Sequence, residues 1–202
     1  MSELRQINLQ DMIEEIGEDR TKSILSDFSC DQNLDVQEFI QRKAVEFSKR
    51  GFAKTTLVFW VSDNEDEKCL VGYFALSNKK ITVKKKEVSK NTYKRIRLFS
   101  DDKEKDSCTI PAILIGQLSK NFKDGNDTLI SGELLQMAID KVKQVQYMIG
   151  GKFVYLECED KERLLEFYTT NGFVSFGKRM LDKDEINING KYLIQMLRYL
   201  HS

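Results

Sequence analysis

The second half of the chain alternates apolar runs with amphipathic stretches, and this alternation constrains the fold more than any other feature. The apolar run PAILIGQLS (111–119) is followed by SGELLQMAIDKVKQVQYM (131–148), whose apolar residues recur at helical spacing. A second apolar run, KFVYLEC (152–158), leads into the helical pattern KERLLEFYTT (161–170). Two strand-then-helix units in succession predict a mixed α/β (α+β) fold in which helices cover a central sheet.

The first half of the chain predicts helices followed by a hairpin. Apolar residues at helical spacing over 6–26 predict one or two short helices, and a further helix with Leu34, Phe39, Ile40 and Phe47 on its buried face is expected to end at Gly51. Two β-branched and aromatic runs then flank an acidic turn, which predicts two paired strands. Pro111 is expected to open the next strand, since proline fits the first position of a strand.

The sequence shows no repeats, no low-complexity linker and no clear internal boundary. We therefore predict a single domain over 1–202. Within it, residues 1–27 are expected to form an N-terminal helical extension. Residues 79–107 are expected to be a charged insertion between the third and fourth strands.

Composition excludes several kinds of chemistry. The only histidine, His201, is the penultimate residue, so catalysis by an internal histidine base and a His-rich metal centre are both disfavoured. The four cysteines are scattered without a CxxC pair, which argues against a zinc site, and no metal is expected. No apolar run is long enough to cross a bilayer and the N-terminus lacks an apolar signal core. These patterns predict a cytoplasmic protein without a membrane partner.

The order strand, loop, amphipathic helix, strand and helix ending in FYTTNGF resembles the core of the GNAT (GCN5-related) N-acetyltransferases. PAILIGQLS is similar to that family's fourth strand, SGELLQMAID to its pyrophosphate-binding helix, GKFVYLECED to its fifth strand, and LLEFYTTNGF to the helix with its Phe-Tyr pair. The resemblance implies a mixed, mostly antiparallel sheet that is splayed between strands 4 and 5, with helices on both faces. It also implies acetyl-CoA as co-substrate, lying in that opening.

A second resemblance covers FSCDQNLDVQEFIQRKA (28–44), TTLVFW (55–60) and VGYFALSNKKITV (71–83). In this order they are similar to a GNAT branch that contains bacterial toxins, which acetylate aminoacyl-tRNA and are paired with an antitoxin protein. This implies acetyl transfer from acetyl-CoA to a primary amine by direct attack, with the acceptor left open. tRNA, an antitoxin protein and a second copy of the chain are the partners that remain open.

The stretch NFKDGNDTLISGELL (121–135) departs from the family's phosphate loop, which usually has the pattern Arg/Gln-x-x-Gly-x-Gly/Ala. It contains only two glycines, and two aspartates bring negative charge close to a phosphate site. Backbone N–H groups at a helix N-terminus can still hold a diphosphate. The candidate cofactor-binding residues are Gln117, Leu118, Ser119, Gly125, Thr128, Ser131, Gly132, Asp160 and Tyr168.

The candidate catalytic residues that the resemblance implies are Leu118 and Tyr168. The backbone N–H of Leu118 would face the oxyanion, and the Tyr168 phenol would protonate the departing CoA thiolate. The alternative is that Tyr168 is a packing residue whose hydroxyl only hydrogen-bonds CoA sulfur or water. Asp160 also fits a purely structural role, as the N-cap of the helix that carries Tyr168.

Residues 79–98 hold nine Lys or Arg against one Glu and are followed by the acidic run DDKEKD. Such a cluster suits phosphate backbones, and an interleaved tyrosine can stack on a base. The alternative is a solvated hairpin whose charge the acidic run balances. The candidate substrate-side residues are Lys84, Lys85, Lys86, Tyr93, Lys94 and Arg95.

Three hypotheses therefore stand side by side. The first is an active acyl-CoA-dependent N-acyltransferase. The second is a GNAT-fold binding protein with weakened or lost use of CoA, which the acidic, glycine-poor loop favours. The third is a nucleic-acid-binding module led by the basic segment. Binding of acyl-CoA separates the first from the other two, and a salt-dependent RNA complex identifies the third.

Overall fold

The fold is seen in a computed structural model that describes residues 3–63, 67–100, 102–123, 129, 132–182 and 190–201. Helices and strands account for most of this part of the chain. The strands are β1 (Glu3–Asn8), β2 (Lys54–Val61), β3 (Lys68–Lys84), β4 (Asp102–Lys103), β5 (Ser107–Lys120), β6 (Phe153–Cys158), β7 (Val174–Met180) and β8 (Tyr192–Tyr199). The helices are α1 (Leu9–Ile16), α2 (Glu18–Ser26), α3 (Leu34–Glu38), α4 (Ala44–Lys49), α5 (Lys90–Arg97), α6 (Glu133–Ile149) and α7 (Glu162–Thr170). A π-helical turn (Phe39–Lys43) joins α3 to α4.

The strands form one mixed sheet in the order β1-β2-β3-β5-β6-β8-β7, with the short β4 pairing with β5. Strands β1 and β2, β2 and β3, β6 and β8, and β7 and β8 run antiparallel. Strands β5 and β6 run parallel, over Ile113–Ile115 and Val154–Leu156, and β5 then continues to Lys120. The prediction of a mixed, mostly antiparallel sheet with helices packed around it is confirmed.

The chain divides into two compact units, of which the first contains Met1–Ser77 and Gly116–Ala138. Its core is built by the helices of the first fifty residues on the hydrophobic faces of β2 and β3. Tyr73 lies at the centre, with the Phe28 ring edge-on at 5.1 Å and the Phe39 ring stacked at 6.2 Å. Its buried hydroxyl donates a hydrogen bond to the Val36 carbonyl, which joins α3 to β3.

The second unit contains Asn78–Ile115 and Ile139–Ser202. Its core gathers apolar side chains from β3, α5, β5, β6, β7 and β8. Helix α5 contributes Tyr93 and Ile96, which are 5% and 1% exposed. They are three residues apart and so share the helix face that packs inward, while the charged residues of α5 face solvent.

The N-terminal segment differs from its prediction. Residues 3–8 form β1, which pairs with β2 along its whole length, and the helices α1 and α2 begin only after it. Asn8 caps α1 by accepting from the Gln10 N–H at 2.8 Å. The reason for the strand is tertiary, because β1 satisfies the backbone groups along one side of β2, which helical spacing cannot reveal.

Two further details correct the sequence analysis, and a third confirms it. Leu34, predicted to be buried, is 48% exposed. Helix α3 starts at this residue, and its buried side chain is Val36 instead. Pro111 lies inside β5 rather than at its start. The residues of β5 that pair with β4 precede it and those that pair with β6 follow it, so Pro111 itself belongs to neither of these two ladders. Gly51 does follow the end of α4 and has φ +69°, a conformation that favours glycine.

Candidate active site

The predicted cofactor strand is the end of β5 in the first unit, where Gln117, Leu118 and Ser119 follow one another. Gln117 and Leu118 are half-buried and Ser119 is 8% exposed. The Ser119 hydroxyl donates to the Lys120 carbonyl at 2.9 Å, so this side chain is turned along its own strand. That the backbone of Ser119 pairs with pantetheine as an added strand would stays a prediction.

Gln117 is held by a side-chain network within the first unit. Its Nε2 donates to the Asp35 Oδ2 at 3.2 Å, and its Oε1 lies 3.5 Å from the Tyr73 hydroxyl. Burial first, and then the charge of Asp35, raises the pKa of the Tyr73 phenol well above its usual value. The Tyr73 hydroxyl gives its one proton to the Val36 carbonyl, so the hydrogen bond to Asp35 is the one that holds the side chain of Gln117.

Of this network, only Gln117 was predicted from the sequence; Asp35 and Tyr73 were not. Its carboxylate is half-buried at the first turn of α3, where Asn33 caps the helix through the N–H groups of Asp35 and Val36. Among the described residues Asp35 makes no ion pair, and its Oδ1 accepts no hydrogen bond. A cap signal in Asn33-Leu34-Asp35 marks the helix start in the sequence, but the approach of Asp35 to Gln117, 82 positions later, is a tertiary fact.

Asn121 fixes the chain directly after β5, where the predicted phosphate loop begins. It is 4% exposed and its Nδ2 donates to the Leu70 carbonyl at 2.8 Å. Its Oδ1 accepts from the N–H groups of Ser29 and Lys123. A buried side-chain amide with three such bonds pins the start of the loop to the first unit, and it too escaped the sequence analysis.

Gly72 on β3 permits a close approach to the same strand end. A Cβ at this position would lie 2.9 Å from the Leu129 Cδ1 and 3.1 Å from the Ser119 carbonyl oxygen. The leucine can yield, but the backbone of Ser119 would have to shift. Glycine at 72 is thus part of what sets the position of the predicted cofactor strand.

Most of the predicted phosphate loop lies outside the described residues. Gly125, Thr128 and Ser131 belong to this part, so their predicted role stays a prediction. Gly132 is described: it has φ +87°, and its carbonyl accepts from the Gln136 N–H at 2.9 Å at the start of α6. The helix N-terminus expected after the loop is therefore present.

Tyr168 lies in the last turn of α7 in the second unit and is half-buried. Its ring contacts the Phe167 ring edge-on at 5.1 Å and the Phe173 ring at 5.9 Å. The helix ends at Asn171 and Gly172, the latter with φ +81°, as the sequence predicted. Within the described residues the Tyr168 hydroxyl makes no hydrogen bond, so packing accounts for its ring but not for its hydroxyl.

Burial raises the pKa of the Tyr168 phenol well above its usual value, and the nearby Cys158 adds to this. Burial, with Asp160 and Glu159, also raises the pKa of the Cys158 thiol to about 11. Cys158 is 7% exposed and keeps its thiol proton, so it is a core residue rather than a nucleophile. Tyr168 keeps its proton at every physiological pH and is chemically a donor.

The carboxylates near α7 are engaged with other groups. Glu157 accepts from Arg179 at 2.7 Å and from Gln195 at 2.8 Å, one on each oxygen, so a role as catalytic base is disfavoured. Asp160 is exposed and accepts from the Tyr192 hydroxyl at 2.9 Å. Its predicted role as an N-cap is wrong, because α7 begins at Glu162 and Lys161 occupies the cap position.

The basic segment is helical rather than a hairpin in the region of its tyrosine. Lys84, Lys85, Lys86, Lys94 and Arg95 are exposed, in keeping with a charged surface. Tyr93 is buried in the core of the second unit, so the prediction that its ring stacks on a base is wrong in this structure. The physical reason is the i, i+3 pairing with Ile96, which turns the ring away from its charged neighbours.

The predicted site residues fall into two groups that belong to different units. Gln117, Leu118, Ser119 and Gly132 lie in the first unit, and Tyr168 and Asp160 lie in the second. Among the described residues, no three His, Cys, Asp or Glu side chains come together as metal ligands, and no helix has the length and apolar character that a bilayer crossing requires.

Comparison of the structure with solved structures identifies the architecture. AtaT in complex with acetyl-methionyl-tRNAfMet is 16% identical in sequence, with a TM-score of 0.62 over 95% of this chain and 94% of that one. A tyrosine-to-phenylalanine mutant of KacT is 16% identical, with a TM-score of 0.60 over 95% and 93%. The chain has the GNAT fold.

A further GNAT-fold neighbour is a tyrosine-to-phenylalanine mutant of the toxin AtaT bound to the C-terminus of the antitoxin AtaR and to acetyl-CoA. It is 13% identical, with a TM-score of 0.56 over 98% of this chain and 92% of that one. No family model matches the sequence, and no curated protein sequence matches it. The likeness is therefore one of fold, spread over nearly the full length of both chains.

Proposed function

We propose that this protein is an acetyl-CoA-dependent N-acetyltransferase that acetylates a primary amine. The observation that carries the proposal is the GNAT fold, shared over nearly the whole chain with toxins solved in complex with acetyl-CoA and with an acetylated aminoacyl-tRNA. The unengaged hydroxyl of Tyr168, at the end of the helix that the sequence compares with the family's Phe-Tyr helix, supports the same activity.

In this proposal acetyl-CoA pairs with the backbone of β5. Gln117, Leu118 and Ser119 would hold the pantetheine amides as an added strand would. Backbone N–H groups of the loop at Gly125, Thr128, Ser131 and Gly132 would hold the diphosphate, aided by the positive end of the α6 dipole. The hydrogen bonds of Asn121 and the close approach at Gly72 support this, because they fix the strand end before any ligand arrives.

The chemistry of the transfer divides among a few groups. A neutral amine attacks the thioester carbonyl, so a C–N bond forms and the C–S bond breaks after a tetrahedral intermediate. The Leu118 N–H would stabilise the oxyanion, and Tyr168 would give its proton to the CoA thiolate. The proton lost by the attacking nitrogen returns to the phenolate through solvent, which closes the cycle without a metal.

Asp35 is proposed to position the acceptor. Its half-buried carboxylate lies beside Gln117 and has one oxygen without a described hydrogen-bond partner, which suits an incoming ammonium or amine N–H. Asp35→Asn should raise KM for the amine by about ten-fold. The Kd of acetyl-CoA should stay unchanged. An equal rise in the KM for the amine and in the Kd of acetyl-CoA would show that Asp35 supports β5 instead.

The acceptor that we propose is the amino group of aminoacyl-tRNA, and the setting is a toxin–antitoxin pair in the cytoplasm. The support is the fold of AtaT and KacT, together with the exposed basic residues Lys84, Lys85, Lys86, Lys94 and Arg95. Phosphate oxygens are the groups that such a surface attracts. Asp160 is exposed and accepts a hydrogen bond from Tyr192, and the role that we propose for it is a contact with acetyl-CoA at the edge of the cofactor site.

Two steps test the proposal. The protein is first titrated with acetyl-CoA by calorimetry, beside a variant in which Thr128, Ser131 and Gly132 are replaced, with Thr82→Ala as control. Micromolar binding that the loop variant loses supports the cofactor site. Labelled acetyl-CoA is then supplied with charged and uncharged tRNA. Acetylation of charged tRNA alone supports the acceptor.

The second candidate function is a GNAT-fold binding protein that no longer uses CoA. The acidic, glycine-poor loop sequence is what favours it. The absence of binding at millimolar acetyl-CoA, in a protein that is fully folded by circular dichroism, would establish this alternative and overturn the proposed activity.

A further inference from the structure

A cavity of about 360 Å³ lies in the second unit, and none of the described residues assigned to acetyl transfer lines it. Pro111 on β5 and Phe153 at the start of β6 are among its lining residues. Pro111 precedes the residues of β5 that pair with β6, whereas the predicted cofactor residues 117–119 follow them. The cavity is thus a second candidate site, and its volume is within the range of pockets that take up small molecules.

The apolar part of the lining consists of rings. Phe99 is 37% exposed and Phe153 is 2% exposed. The two rings pack at 5.5 Å with an angle of 80° between their planes, and the Phe99 ring also lies 5.7 Å from the Tyr199 ring. The pyrrolidine ring of Pro111 lines the same cavity. Rings that are held in place by one another suit contact with a flat, rigid ligand, because little conformational entropy is lost on binding.

The polar part of the lining includes one acceptor and one donor without partners. Gln146 on α6 donates from its Nε2 to the Phe153 carbonyl at 3.2 Å, which fixes the side-chain amide. Within the described part of the chain its Oε1 accepts no hydrogen bond, and the Gly151 N–H donates none. The two residues are neighbours, because a Cβ on Gly151 would lie 3.8 Å from the Gln146 Cγ. An acceptor and a donor on neighbouring residues match the edge of a lactam, in which N–H and C=O are adjacent.

Charge does not select the ligand of this cavity. Lys152 lines it, and the Arg95 guanidinium lies 5.2 Å from the centroid of the Tyr199 ring, which Phe99 contacts. The run DDKEKD (101–106), which begins just after Phe99, carries four acidic residues against two lysines. Both signs of charge therefore occur close to Phe99 in the chain. A neutral ligand is favoured, since its recognition depends on the rings and on the two uncharged polar groups.

We propose that the cavity binds a nucleobase with a lactam edge, such as hypoxanthine, guanine or uracil. The flat base lies against the rings of Phe99, Phe153 and Pro111. Its lactam N–H donates to the Gln146 Oε1, and its C=O accepts from the Gly151 N–H. An aliphatic chain of the same volume would leave both of these groups unpaired, which is costly once water is displaced.

The base can belong to a free nucleoside or to an unstacked nucleotide of RNA, because both present the same ring and the same edge. This inference does not depend on the proposed acetyl transfer. The probes are therefore free nucleosides first and tRNA second.

The test uses the full chain with inosine and uridine, beside 1-methylinosine and 3-methyluridine, in which a methyl group replaces the lactam hydrogen. The variants are Gln146→Met, which removes the acceptor at nearly constant volume, and Phe99→Ala, which removes a ring. The matched controls are Gln144→Met, at an exposed position of the same helix, and Leu98→Ala, at a residue that is 79% exposed and is not among the lining residues. Calorimetry measures each Kd, and circular dichroism confirms that each variant is folded.

We expect inosine or uridine to bind with a Kd of about 0.1 to 1 mM, as is usual for a ligand of this size. The methylated counterpart should bind about ten-fold more weakly. Gln146→Met and Phe99→Ala should each weaken binding by about ten-fold, and the two controls should change it by less than about two-fold. The absence of binding by both nucleosides at millimolar concentration would overturn the proposal. Equal binding of the methylated nucleosides, or binding that ignores either lining variant, would overturn it as well.

Two further readings locate the bound base and identify its source. Saturating acetyl-CoA should leave the Kd of the nucleoside unchanged, and displacement by acetyl-CoA would overturn the proposal, because the nucleoside would then occupy the cofactor site. The affinity for tRNA is measured by fluorescence anisotropy. A loss with Gln146→Met and Phe99→Ala, but with neither control, would assign the base to RNA. An unchanged affinity for tRNA would assign it to a free nucleoside, and both of these results agree with the proposal.

Discussion

Helices α5 and α7 each carry a tyrosine to which the sequence assigns a chemical role, and the two tyrosines end in different environments. Tyr93 of α5 is 5% exposed, with its ring in the core of the second unit. Tyr168 of α7 is half-buried, and its hydroxyl makes no hydrogen bond within the described residues. The buried Tyr93 hydroxyl likewise has no hydrogen-bond partner in the described part of the chain, so the two tyrosines differ in burial: one ring lies in the core, and the other is partly accessible.

The difference follows from where each tyrosine stands in its helix. In KNTYKRIR the only strongly apolar positions are Tyr93 and Ile96, so burying one face of α5 must bury the tyrosine. In α7 Phe167 and Tyr168 are adjacent, and adjacent residues cannot both point at the core. An aromatic residue among lysines is thus not by itself a base-stacking residue, because its neighbours in sequence occupy the opposite face.

The largest effect is expected for Tyr168→Phe. Loss of a general acid should lower kcat by about 10²- to 10⁴-fold, while the Kd of acetyl-CoA changes by less than about two-fold. The measurement is steady-state acetylation of charged tRNA with calorimetry beside it. Tyr93→Phe is the matched control and should leave kcat unchanged, and equal activity of the two variants would remove the acid role of Tyr168.

Tyr93→Ala should show the opposite pattern. It removes a ring from the packed core and should lower Tm by about 10 °C. The loss of activity at a temperature where the variant is still folded should be small. Thermal unfolding followed by circular dichroism measures the shift. An unchanged Tm with a large loss of tRNA affinity would return Tyr93 to the role that the sequence first gave it.

Charge reversal on α5 tests the other face of the same helix. Lys94→Glu with Arg95→Glu should weaken tRNA binding by about ten-fold and flatten its dependence on salt. Lys54→Glu, an exposed lysine at the start of β2, is the control and should have little effect. Fluorescence anisotropy at two salt concentrations measures the tRNA affinity of both variants. An equal loss of affinity in the Lys54→Glu control would show that only the net charge of the protein matters.

The smallest effect is expected in the pH profile. Activity should rise towards pH about 8, because the attacking α-amino group must be neutral. It should then stay level to about pH 10, because burial raises the pKa of Tyr168 and the acid keeps its proton throughout this window. A fall in kcat between about pH 8 and 10 that Tyr168→Phe abolishes would show that the phenol ionises there.

The sequence alone determined the order of most elements, the mixed sheet and the tyrosine-bearing helix end. These follow from local patterns: apolar runs of strand length in PAILIGQLS and KFVYLEC, helical spacing from 133 onwards, and the helix exit at Asn171-Gly172. The resemblance to the GNAT fold rested on that order, and the structure confirms it.

Only the tertiary structure decided which residues come together across long stretches of chain. Strand β1 pairs with β2, and Asp35 accepts a hydrogen bond from Gln117. Asn121 hydrogen-bonds both Leu70 and Ser29, and the Tyr93 ring lies in the core. These contacts form because polar backbone and side-chain groups need hydrogen-bond partners and apolar faces need burial. The sequence shows that such a group needs a partner, but it does not show which residue the partner is. Local patterns record what a segment prefers, whereas the position of a side chain in a site depends on the segments that pack against it.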